Sequence, residues 1–210
     1  MRSLTYTAQE TALLLLLGST ANLLAYAIDS LIGALVKARA KLAQNAGSFT
    51  TSYLVYTLSA LAAAAAAVAA VQYISPPAAG SGIPQMKCVL GGMGGMRARS
   101  YLSLATMAAK VLSLSLALAG GLSVGKEGPY VHITACAATF FCSLPPFDRL
   151  GRNEALQRQI LAAACAAGVS ATFGAPVGGV LFSIEVTSTY YSVSHLWKSI
   201  FASVCGALVF

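Results

Sequence analysis

Acidic residues are nearly missing from this chain. Glu10, Asp29, Glu127, Asp148, Glu154 and Glu185 are the six acids in 210 residues, against 13 lysines and arginines. Charged residues total 9%, where a soluble domain carries about a quarter, so the composition excludes a water-facing globule. Residues 42–86, 128–147 and 159–184 contain no Asp, Glu, Lys or Arg. Cys-x-x-Cys pairs and Cys/His clusters are missing too, which argues against a metal centre. Cys88, Cys136, Cys142, Cys165 and Cys205 lie inside apolar runs and are expected to be small buried hydrophobes. No aromatic stacking motif interleaves the basic residues, so the net charge of +7 fits lipid headgroups rather than nucleic acid.

What is present is apolar: 57% of residues are hydrophobic. Backbone groups in lipid must pair internally, so only helices or a closed barrel can span it. The Ala/Leu-rich runs lack the ten-residue alternation of barrel strands, and an all-α membrane protein of several passes follows. The N-terminal apolar run imitates a secretory signal, but Glu10 abuts it and the pattern continues to about residue 36. A first helix is predicted over 10–36 with Asp29 on its polar side, then a short basic loop at Lys37, Arg39 and Lys41. Taken alone, that loop would lie in the cytoplasm. A second span covers 53–72, its alanine run 62–67 permitting close helix contact. Pro76-Pro77 stops it.

Gly80-Ser81-Gly82-Ile83-Pro84-Gln85-Met86-Lys87 then opens a half-helix that ends in the linker Gly91-Gly92-Met93-Gly94-Gly95. Residues 101–119 form a span interrupted by Lys110. Residues 148–158 are a polar loop and helix start, 159–184 are two helices broken near Gly174, and 195–210 begin one more helix.

Between these pieces lies Gly120-Gly121-Leu122-Ser123-Val124-Gly125-Lys126-Glu127-Gly128-Pro129-Tyr130. Pro129 suits the first turn of a helix, where a missing N–H costs nothing. Such a start offers unpaired N–H groups and partial positive charge, and binds anions. Gly120-x-x-x-x-Gly125-Lys126 nearly matches a phosphate loop. Glu127 stands where the magnesium-binding Ser/Thr should be, and no strand precedes it, so a nucleotide site is rejected. The helix dipole favours Glu127 by about 0.3–1 kcal/mol. A charge at mid-bilayer costs roughly 2.5–3.5 kcal/mol or more, so a carboxylate retained here points to function. Lys126 is either a counter-charge or a source of positive potential. His132 lies off the Glu127 face and reads as a packing residue, and Glu185 reads equally as a solvated end or a pairing acid.

Three motifs, Gly80-Ser81-Gly82-Ile83-Pro84, Gly125-Lys126-Glu127-Gly128-Pro129 and Gly174-Ala175-Pro176-Val177-Gly178-Gly179-Val180-Leu181-Phe182-Ser183-Ile184-Glu185, resemble in order and spacing those of the CLC family of chloride channels and chloride/proton exchangers. The resemblance runs from about residue 11 to 210. It implies a bundle of tilted and re-entrant helices, the first inverted repeat of the CLC fold, with residues 1–210 as one partial transmembrane domain. It implies a homodimer through helices near 174–210, chloride as the transported ion, no cofactor and no enzymatic activity. By position, Ser81 resembles the hydroxyl that coordinates chloride. Gly80, Gly82, Ile83, Pro84, Gly125, Lys126, Gly128 and Pro129 resemble the helix ends lining the pathway, and Glu127 resembles the gating glutamate. The inner proton-carrying glutamate of the exchangers is replaced by Val186, within Glu185-Val186-Thr187-Ser188-Thr189-Tyr190-Tyr191, which resembles the channel branch and implies passive, voltage- or proton-gated conduction. A coupled exchanger and a non-conducting fragment remain as alternatives. Gln85 departs from the family's usual glutamate, and Ser123 from the proline of many channels. The basic loop at 37–41 is extracellular by family topology. The second repeat's G-x-F-x-P helix start and closing tyrosine do not occur in these residues, nor do paired regulatory domains.

Overall fold

The computed structural model describes residues 2–92, 100–187 and 193–209. Nine α-helices are assigned among them: α1 Arg2–Gln44, α2 Phe49–Ile74, α3 Ile83–Leu90, α4 Leu104–Ala119, α5 Glu127–Cys142, α6 Asp148–Gly151, α7 Glu154–Phe173, α8 Pro176–Phe182 and α9 Val193–Ala207. No strand is assigned among the described residues. Thr7–Gln44 and Phe49–Ile74 are long and apolar enough to cross a membrane. By contrast α3, eight residues long, reaches only about 12 Å of a hydrocarbon layer roughly 30 Å thick. It is the half-helix that Pro84 and the Gly91-Gly92 turn prescribe. Met93-Gly94-Gly95 lies outside the described residues, as do Ser188-Thr189-Tyr190-Tyr191.

α5 and α7 form the centre. Residues 130–138 of α5 and 160–170 of α7 are buried without a break, as expected for helices that are apolar all round. Small residues allow the close approach. A Cβ on Gly168 would meet the Thr134 hydroxyl at 2.5 Å, and one on Gly179 in α8 would meet the Ala166 carbonyl at 2.7 Å. α1 and α9 close one side, crossing backbone to backbone where Gly18 faces Ala202 and Gly206. α2 and α4 close the other side.

The predicted helix ends hold where local chemistry sets them. Gly174 takes a left-handed φ of 64° and ends α7, and Pro176 then opens α8, so the break falls where glycine and proline place it. Asn153 caps α7 by accepting from the Ala155 and Leu156 amides. The span predicted over 101–119 is shorter, with Ser103 capping α4 through the Thr106 amide.

Two expectations fail, one wholly and one in part. The basic loop at 37–41 does not exist, because α1 continues through it to Gln44. Lysine and arginine are good helix formers, and the buried Arg39 finds partners on neighbouring helices. Its guanidinium donates to the Ala119 carbonyl at the end of α4, to the Tyr56 carbonyl at 3.2 Å and to the Ser59 hydroxyl at 3.2 Å, and it lies 4.7 Å over the Tyr56 ring. The cysteine expectation holds for Cys136, Cys142 and Cys165, which are buried, but Cys88 is exposed and Cys205 half-buried.

Candidate functional site

Two glycine turns converge. The first follows α2, where Pro76–Ala78 makes one 3₁₀ turn and Gly80 and Gly82 both take left-handed φ, 75° and 95°. A side chain at either would be strained. Ser81 is held between them, its hydroxyl accepting weakly from the Ile83 amide at 3.4 Å. Behind the turn, Lys110 of α4 points its buried ammonium at the Ala78 and Gly80 carbonyls, 2.9 and 2.7 Å away. No carboxylate pairs with Lys110 among the described residues, so its charge is met by carbonyl dipoles alone.

The second turn leaves α4 at Gly120 and bends at Gly121, φ 82°. Glu127 is the first residue of α5 and Pro129 sits in its opening turn. Gly128 has no side chain because Ser81 occupies that space: a Cβ there would stand 2.7 Å from the Ser81 Cβ and 3.0 Å from its carbonyl. The Glu127 carboxylate folds back over Gly125, with Oε2 2.5 Å from where a Cβ on that glycine would be. Beside it the Lys126 ammonium is tied to Asp29 of α1 at 2.9 Å. The Tyr130 hydroxyl donates to the Ala25 carbonyl and the Asp29 carboxylate at 3.2 and 3.3 Å.

Gly80, Ser81, Gly125 and Pro129 line one cavity of about 750 Å³ with α2 and α4. Gly82, Ile83, Pro84 and Gly128 build the turns at its edge, and Glu127 sits half-buried beside it. Lys126 adjoins the site but spends its charge on Asp29, which favours the counter-charge reading. Val186 is half-buried in the π-turn Ser183–Thr187, and Glu185 there is exposed. Gln85 and Ser123 are exposed as well. The lining also includes Gln72, Lys110 and Ser113, which the motifs did not mark. A lysine interrupting an apolar span was the available signal for Lys110. His132 is fully buried and stacks on Tyr101, 3.8 Å between ring centroids, as a packing residue would. Chemically, the arrangement is a mostly apolar cavity with a hydroxyl, a buried ammonium and the open ends of two helices, suited to a small anion.

The family model described as voltage gated chloride channel matches residues 62–210. Chloride channel protein 2 of Drosophila melanogaster is 40% identical over 204 residues, which is 96% of this chain and 17% of that protein. H(+)/Cl(-) exchange transporter 3 of Homo sapiens is 46% identical over 167 residues, 80% of this chain and 20% of that protein. A eukaryotic CLC transporter crystal structure superposes with a TM-score of 0.95 at 40% identity, covering 98% of this chain and 38% of that one. A slow cyanobacterial Cl⁻/H⁺ antiporter, at 19% identity and a TM-score of 0.77, shares the fold. The chain thus spans about a fifth of the length of these curated relatives. With the matched motifs, the all-α re-entrant fold and the converging glycine turns, this chain belongs to the CLC family of integral membrane proteins.

Proposed function

We propose that this chain builds one wall of a chloride pathway and that the pathway conducts passively. The observation that carries the reading is the meeting of the Ser81 and Gly128 turns at one cavity, with the Glu127 carboxylate at its side. An anion entering there exchanges water for the amides at the starts of α3 and α5 and for the Ser81 hydroxyl. Lys110 supplies positive charge behind the turn, and donors fixed before the ion arrives need not reorganise to receive it. Glu127 is a tethered rival for the same position, displaced by protonation or by the field across the membrane.

Val186 supports a channel over an exchanger, since an alkyl side chain cannot carry a proton inward. The coupled reading keeps the support of similar proteins: the 46% identity to an H(+)/Cl(-) exchange transporter and the 40% identical CLC transporter structure. The exposed apolar side chains Val177, Leu181 and Trp197 give α8 and α9 a face for a second copy, in line with a homodimer through residues 174–210. Lipid is the partner for the exposed side of α2.

Glu127→Gln in the complete protein that carries this chain is the test, read as current against voltage and pH. The expected result is persistent anion flux with weakened gating by both. Gating identical to the parent protein would remove Glu127 from the role.

A further inference from the structure

The turn that holds Ser81 is pinned from two sides, and only one pin lies in the cavity wall. Lys110 binds the Gly80 carbonyl before Ser81. The Gly82 carbonyl after it accepts two hydrogen bonds, from the Met86 amide at 3.0 Å within α3 and from the buried Tyr101 hydroxyl at 3.1 Å. Tyr101 is in turn held by His132. The two rings lie 9° from parallel at 3.8 Å, and His132 Nε2 is 2.9 Å from the Tyr101 carbonyl. A carbonyl only accepts, so Nε2 carries the proton. The fit admits no slack, because a Cβ on Gly82 would stand 2.8 Å from the His132 Cβ and 3.0 Å from the Tyr101 hydroxyl.

Within a planar trans peptide the C=O and N–H point in opposite directions. Fixing the Gly80 carbonyl therefore aims the Ser81 N–H, and fixing the Gly82 carbonyl aims the Ile83 N–H. Neither amide donates to a backbone carbonyl among the described residues; the Ile83 N–H makes a long 3.4 Å contact to the Ser81 hydroxyl, which an arriving anion can replace. Tyr101 and His132 are absent from the cavity lining. Any effect they have on an ion is transmitted through the turn.

We infer that Tyr101, locked by His132, is a positioning residue that sets ion-size discrimination at the Ser81 turn by fixing the Gly82 carbonyl. This rests on the reading of that turn as an anion site. Donors held at fixed spacing favour one ionic radius. Without the hydroxyl, the Gly82 carbonyl keeps its bond from Met86, so α3 persists while its first turn loosens and tolerates a larger ion.

The test is the iodide-to-chloride permeability ratio, taken from reversal potentials of the complete protein carrying this chain, because a ratio does not depend on how many channels reach the membrane. In Tyr101→Phe the ratio is expected to move toward one by about twofold or more, a change well within the net worth of one hydrogen bond. His132→Phe, which keeps the stack and loses the donor, should follow it. His132→Gln, whose amide nitrogen can donate from near the Nε2 position, should keep the parent ratio. A parent-like ratio in Tyr101→Phe would overturn the inference. If that variant does not reach the membrane, His132→Phe decides on the same terms. Absence of any anion current from the unmutated protein would instead defeat the proposed function.

Discussion

Asp29 and Lys126 lie 97 positions apart in the chain, and their ion pair holds the residue next to the proposed gate against α1. Both side chains are partly exposed, at 49% and 33%, so the pair contributes at most about 1 kcal/mol to stability. Its consequence is electrostatic. In Asp29→Asn a negative charge disappears and an ammonium is freed beside Glu127. Both changes make the potential at the turn more positive, so the chloride concentration for half-maximal current is expected to fall, and Lys126→Met in the same background should bring it part of the way back. Current–chloride curves of the two variants check the sign. Gly128 offers a sharper steric test, because alanine would improve local helix propensity by about 1 kcal/mol yet collide with Ser81 at 2.7 Å. Gly128→Ala is therefore expected to preserve expression while cutting single-channel conductance severalfold. Unchanged conductance would mean the two turns are not in contact when ions pass.

Helices are joined here by small residues and by a few buried charges. Gly18 of α1 and Gly206 of α9 leave no room for side chains, since a Cβ on either would overlap the other helix. Near the same crossing Lys198 of α9 pairs with Glu10 of α1 and donates to Gln159 of α7, with the two charged side chains only 17% and 14% exposed. Removing one member of a buried pair strands the other and costs about 3–5 kcal/mol, whereas replacing both is often close to neutral. Lys198→Met is accordingly expected to lower thermal stability in detergent by several degrees, and the Glu10→Gln, Lys198→Met double variant should recover a large part of it. A double variant no better than the single would assign the loss to packing. Arg39 shows why element boundaries escape a linear reading. Lys37, Arg39 and Lys41 looked like a loop, but Arg39 is retained in α1 because the carbonyl it satisfies, Ala119 at the end of α4, is 80 positions away.

For the molecule as a whole, coupling is the property most open to measurement. Val186 leaves the proposed inner proton position without an acid, so chloride gradients are expected to drive no acidification in sealed vesicles containing the complete protein. Stoichiometric proton movement would replace the channel with the exchanger that the 46% identical relative represents. The membrane class, the half-helix at 83–90, the break at Gly174 and both glycine turns were readable in advance, because each depends on local causes: an absence of charge, a proline without an N–H, a glycine free to take positive φ. The family was readable for the same reason, since its motifs are short stretches around such turns. Tertiary structure alone decided that Ser81 packs into the space Gly128 leaves open, that Lys110 and Tyr101 hold the carbonyls on either side of Ser81, that Lys126 is committed to Asp29, and that Lys198 answers Glu10. Each of these joins groups distant along the chain, and their meeting is set by how closely helices of small residues can pack, a quantity that no local pattern encodes.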